Sequence, residues 1–119
     1  MRKRSQGKAN KEKGKRYERE LAKKLSKAFG CNVRRVPCSG ALDDWKGDLR
    51  NLHGPLERYC IEVKYQKQLS WWKAIEQARS QAGRLEWLLI VSRAFEGADY
   101  VVMDLRHFIE LLQNQKEPE

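Results

Sequence analysis

The sequence predicts an α/β domain: a small mixed β-sheet flanked by helices. Three observations predict it. Apolar residues recur at helical spacing in three stretches. Five short β-rich runs lie between and around them. The order along the chain is helix, three strands, helix, two strands, helix, a layered pattern in which helices cover a sheet. With 119 residues the chain makes one domain. Residues 14–114 form its body, residues 1–13 a basic disordered arm and residues 115–119 a frayed tail.

Each element has a local cause. From Lys15 to Phe29, the residues Tyr17, Leu21, Leu25, Ala28 and Phe29 keep helical spacing, and Gly30 is a natural stop. Asn32–Val36 is a short strand ended by Pro37. Cys38–Gly47 is turn-rich, with Asp43 and Asp44 as turn residues. Asp48–Leu52 is a second strand, followed by a turn at His53–Gly54–Pro55. Arg58–Tyr65 is the strongest strand, with Ile61 and Val63 on one face. Ser70 caps a helix over Trp71–Ala82, closed by Gly83. Leu85–Val91 and Tyr100–Met103 are two further strands. Asp104 caps a last helix whose Leu105, Phe108, Ile109 and Leu112 read as a core stripe, with His107 on the surface.

The charge is unevenly spread. The chain carries +9 overall, but residues 1–40 hold 14 Lys/Arg against 3 Asp/Glu, while residues 41–119 hold 11 against 13. Arg2–Lys15, including Lys3, Arg4 and Lys8, is either a solvated tail or an arm that lies along phosphates. No run of about 18 apolar residues exists to span a membrane. Cys31, Cys38 and Cys60 form no CxxC pair, which argues against a zinc site or a disulfide framework and for a reducing, cytoplasmic compartment. No GxxxxGK[ST] loop occurs, so no nucleotide cofactor is expected.

Four features converge on chemistry. Glu62 and Lys64 alternate onto one face of the strand Arg58–Tyr65, opposite Ile61 and Val63. Taken alone they are equally an ion pair on a solvated face. Asp48 opens the preceding strand; if the two strands pair, it comes near Glu62, and two close carboxylates call for a cation between them. Glu18 falls at roughly 100° on a helical wheel whose apolar arc runs from Tyr17 at 0° to Phe29 at roughly 120°. A carboxylate on a buried helix face needs a partner, either an Arg or a shared cation. Finally, Arg34–Arg35 and Ser39–Gly40 lie between Glu18 and Asp48, as an ordinary strand and turn or as a phosphate clamp. Trp45, in the same loop, has the shape to stack on an unpaired base.

Glu18, Asp48 and Glu62-x-Lys64, in that order on helix, strand and strand, resemble the PD-(D/E)xK nuclease superfamily. Within it the chain is most similar to the archaeal-type Holliday junction resolvases and their phage relatives. The resemblance is carried by Lys15–Arg16–Tyr17–Glu18–Arg19–Glu20–Leu21, by Arg35 and Ser39, by Gly47–Asp48, and by Cys60–Ile61–Glu62–Val63–Lys64. It covers residues 14–67, and the later elements by their order. Gly47 rather than Pro precedes Asp48.

The resemblance implies an αβββαβ restriction-endonuclease-like core and phosphodiester hydrolysis with Mg²⁺ or Mn²⁺. Glu18, Asp48 and Glu62 would bind the metal together with the backbone carbonyl of Val63. Lys64 would orient or deprotonate water, or offset charge on the phosphate. Arg19 and Arg35 would contact DNA or support the site. It further implies a homodimer acting on four-way DNA junctions, with Trp71, Trp72 and parts of Leu85–Leu89 as candidate interface. Two other readings stand beside it: a nicking, flap or repair nuclease of the same superfamily, and a non-catalytic basic DNA-binding module.

Overall fold

The computed structural model describes residues 2–36, 47–93 and 96–115, with side chains from Lys11 onward. Helix α1 (Arg2–Phe29) starts upstream of the Lys15 expected from apolar spacing, so helix continues through the stretch read as an arm. Lys, Arg, Glu, Gln and Ala dominate that stretch, and all favour helix without needing a packed face. The helix ends where Gly30 takes a left-handed φ of +61° and the Cys31 amide donates to the Ser26 carbonyl at 3.0 Å.

The strands are β1 (Arg34–Arg35), β2 (Leu49–Arg50), β3 (Tyr59–Gln66), β4 (Glu86–Arg93) and β5 (Asp99–Val102). Their order in the sheet follows the chain, β1-β2-β3-β4-β5. Neighbours are antiparallel except β3 and β4, which run parallel and are joined by helix α2 (Trp71–Ala82). Helix α3 (Leu105–Asn114) ends the fold, with Asp104 accepting from the Arg106 amide at 2.9 Å. The α/β layering and every element expected from sequence are present.

Alternation along β3 sorts the core into two layers. Tyr59, Ile61 and Val63 pack with Leu21 and Ala22 of α1. Cys60 packs with Ala74, Ala78 and Ala82 of α2 and with Trp87, Leu89 and Val91 of β4. The three alanines recur every four residues and form the only fully buried face of α2. Trp72 lies roughly 200° round the helix from Ala74 and is 82% exposed, so it does not join the core.

The last helix reverses expectation. Its stripe of Leu105, Phe108, Ile109 and Leu112 stays 45–69% exposed, while His107 is fully buried. His107 points roughly 200° away from Leu105 on the helical wheel, so one face excludes the other. Polar anchoring decides between them. The Tyr59 hydroxyl lies 2.6 Å from His107 Nε2, Arg58 Nη2 lies 3.2 Å from Nδ1, and Arg106 bonds Glu86 at 2.9 Å. Of Leu85–Leu89, parts of which are candidate interface, Leu85 and Leu88 stay partly exposed. β4 runs between two neighbours, and its Trp87 and Leu89 are buried within the domain.

Candidate active site

Strand register brings two of the carboxylates together. β2 pairs with β3 antiparallel with Leu49 opposite Ile61, which sets Asp48 opposite Glu62. The Asp48 amide donates to the Ile61 carbonyl at 2.8 Å, and the Val63 amide donates to Asp48 Oδ2 at 2.8 Å. Asp48 therefore ends the β2–β3 ladder with its own carboxylate standing in for a backbone acceptor. On its other side the Val36 amide donates to the Asp48 carbonyl at 2.8 Å, tying β1 to the same point.

Gly47 makes this approach possible. It is buried with φ +81°, and a Cβ there would come within 2.6 Å of Cys60 Sγ and 3.1 Å of the Ile61 carbonyl. Only glycine lets the backbone both turn and lie so close to β3. A Gly-Asp step opening a strand is the sequence signal for this, and its steric meaning emerges only with β3 in place.

Glu62 is buried on the α2 side of β3, at 4% exposure. Burial pushes its carboxyl up to about 8, helped by the negative charge of Asp48, to which it also hydrogen-bonds. Lys64 lies near enough to pull the other way, and Glu18 adds a smaller repulsion. Glu18 is reached from α1. Its carboxyl is raised by burial and by Asp48, and lowered by Arg35, whose Nε donates to Glu18 Oε1 at 3.0 Å. Of the two alternatives for Glu18, the Arg partner is present, and Asp48 acts on it as a neighbouring carboxylate.

The residue before Glu18 fixes the helix. Tyr17 stacks on Tyr65 of β3 with ring centroids 4.9 Å apart, and its hydroxyl bonds Asp99 of β5 at 2.5 Å. Lys24, two turns on, reaches the same Asp99 at 3.3 Å. α1 is therefore pinned in rotation, and Glu18 turns toward Asp48.

Lys64 Nζ donates to Gln77 Oε1 of α2 at 2.8 Å. Arg19 is exposed on α1 and Arg34 is exposed on β1. Ser39 and Trp45 lie outside the described residues. Lys3, Arg4 and Lys8 fall on the first turns of α1, before the described side chains. Trp71 and Trp72 are both exposed.

The family model described as "Phage putative PDDEXK endonuclease" matches residues 9–118. The chain belongs to this family. No curated protein and no solved structure matches it. The chain is thus a nuclease of the PD-(D/E)xK type, and its three helices and five-stranded mixed sheet form a restriction-endonuclease-like core.

A second group of side chains has metal-ligand composition. Ligand atoms of Glu86, His107 and Glu110 lie within 4.8 Å of one another. Cations of the protein already serve it. Arg106 bonds Glu86 at 2.9 Å and Glu110 at 2.5 Å. Arginine only donates, so Arg58 makes Nδ1 of His107 an acceptor and leaves the ring proton on Nε2, facing Tyr59. The group of Glu18, Asp48 and Glu62 differs: Arg35 is bound to Glu18, and the Lys64 ammonium is bound to an uncharged amide. No described helix is long and apolar enough to cross a membrane.

Proposed function

We propose that this chain is a divalent-metal-dependent endonuclease that cuts branched DNA at four-way junctions as a homodimer. The observation that carries the reading is the convergence of Asp48, Glu62 and Glu18 beside Lys64, from three elements distant in sequence. Three carboxylates crowded in partial burial, with one arginine among them, fit a hard cation that takes oxygen ligands. Glu18, Asp48 and Glu62 would hold Mg²⁺ or Mn²⁺. The Val63 carbonyl would join them, because a residue in an extended strand sends its N–H and C=O to the same edge and the Val63 N–H already meets Asp48. Such an ion polarises a phosphodiester and lowers the pKa of water.

The residues around the cluster have separable tasks. Arg35 holds Glu18 in place. Lys64 presents an ammonium for the phosphate or the attacking water. Arg19, Arg34 and the cationic first half of α1, with Lys3, Arg4 and Lys8, would run along the DNA backbone, and Ser39 and Trp45 would add contacts from the neighbouring loop.

Homodimer formation has exposed apolar residues to draw on: Trp71 and Trp72 of α2, and the stripe on α3. Val101, Leu105, Phe108, Ile109 and Leu112 are each 45–69% exposed. A two-fold dimer presents two sites to the two scissile strands of a junction.

The test sets synthetic four-way junctions beside linear duplex of the same sequence, with Mg²⁺ and with EDTA. Wild type should cut the junction symmetrically, and Glu62→Ala should bind it without cutting. Equal cutting of linear duplex would transfer the reading to a less selective nuclease. A sedimenting monomer at micromolar concentration would remove the junction assignment.

A further inference from the structure

We infer that Gln77 is a positioning residue for Lys64: its side-chain amide fixes where the ammonium stands at the acidic cluster. The inference rests on the nuclease reading above.

The argument starts from the packing of α2. Ala74, Ala78 and Ala82 are the buried face of the helix, and their small side chains let it lie close on β3 and β4. Gln77 precedes Ala78 and so stands roughly 100° off that face, on a flank of the helix. Lys64 is on the α2 side of β3, in alternation with Cys60 and Glu62. The two side chains meet there, Nζ donating to Oε1 at 2.8 Å.

The identity of the partner matters. Lys64 lies close enough to Glu62 to influence it electrostatically, yet no ion pair joins the two among the described residues. A long, flexible ammonium beside buried carboxylates is drawn onto them, where it would occupy the place a divalent cation needs. An acceptor on the neighbouring helix opposes that collapse. Gln77 supplies one without charge, so it holds the ammonium and leaves the charge balance of Glu18, Asp48 and Glu62 unchanged. No motif in the sequence marks Gln77, because an exposed glutamine on a helix flank carries no pattern of its own.

The experiment measures single-turnover cleavage of a four-way junction at saturating Mg²⁺, with DNA affinity and thermal unfolding in parallel. Gln77→Ala should lower the cleavage rate by roughly 10- to 100-fold, the scale of a misplaced reacting group. DNA affinity should stay within about 2-fold and Tm within about 2 °C, as expected of an exposed position. Gln77→Glu, which keeps an acceptor oxygen at the same reach but adds the charge that Gln77 lacks, should recover only part of the lost rate. In a Lys64→Met background Gln77→Ala should cost nothing more, since positioning acts only through the positioned group. The Lys64 ammonium resonance, read by ¹⁵N–¹H NMR on the metal-free protein, should shift in Gln77→Ala whether or not the protein cuts DNA.

A wild-type rate in Gln77→Ala, or an equal loss with and without Lys64, would overturn the inference while leaving the nuclease reading intact. If Gln77→Ala shifts the Lys64 resonance but wild type cuts no DNA, the hydrogen bond is real, and both the nuclease reading and the positioning role fall.

Discussion

Two acidic clusters sit in this domain, and they invite opposite expectations. Glu86, His107 and Glu110 have the composition of a transition-metal site, with a fully buried imidazole and ligand atoms within 4.8 Å. Glu18, Asp48 and Glu62 have no histidine. Yet the first cluster is balanced by Arg58 and Arg106, while the second keeps a buried carboxyl pushed up to about 8. Charge balance separates the two better than ligand type does. A cluster whose cations come from its own chain reads as a structural joint; one whose crowded carboxylates take up a proton instead has, under the function proposed above, a place for a cation from outside.

The largest expected effect tests that division at the level of rate. Glu62→Gln and Asp48→Asn should each lower junction cleavage by roughly 10³-fold or more, with DNA affinity within about 3-fold. Glu110→Gln, in the balanced cluster, should cut at the wild-type rate. Cleavage rates measured side by side would dissolve the comparison if Glu110→Gln failed as badly as Glu62→Gln.

Next in size is the coupling of stability to pH and metal. The folded Glu62 carboxyl holds its proton up to about 8, against 4.5 ordinarily. Between those values the folded protein binds more protons than the unfolded chain, so this group's contribution to metal-free stability falls as pH rises. The loss is on the order of a few kcal/mol. A divalent cation replaces the proton, so the Tm gain on adding Mg²⁺ should be larger at pH 8 than at pH 5.5. Glu62→Gln should flatten both trends. Calorimetry at the two pH values, with and without Mg²⁺, checks the sign.

The third expectation concerns the balanced cluster. His107→Ala removes a fully buried ring and leaves the Tyr59 hydroxyl and Arg58 without their partner. The cost should be about 2–3 kcal/mol, read as a lower Tm. Cleavage per folded molecule should persist. A loss of cutting at full stability would move His107 into the functional site and erase the contrast between the clusters.

How much of this was legible in the sequence differs along the chain. Glu18, Asp48 and Glu62-x-Lys64 stand out in the sequence because each breaks a local pattern: a carboxylate inside an apolar arc, an Asp after a Gly at the start of a strand, a polar face on a strong strand. α2 was readable to its end residues from Ser70 and Gly83. α3 was misread because periodicity shows that a helix has an apolar face but not which neighbour that face meets. Four apolar side chains outweigh one histidine on a wheel, whereas in the fold a hydrogen-bonded imidazole between Tyr59 and Arg58 sets the helix's rotation. The contact between Gln77 and Lys64 was illegible for the same reason, since it is made between a strand and a helix.

The continuous α1 helix has one more implication. The cationic stretch and Glu18 share a single rod, and Tyr17 locks that rod by its stack on Tyr65. Inserting one residue just upstream of Tyr17 would swing Lys11, Lys13 and Lys15 about the axis by roughly 100° while Glu18 stays on the locked side of the insertion. The angular phase of the positive charge relative to the acidic centre is therefore a dial, coupled to that centre only through the pull of Lys15 on Glu18.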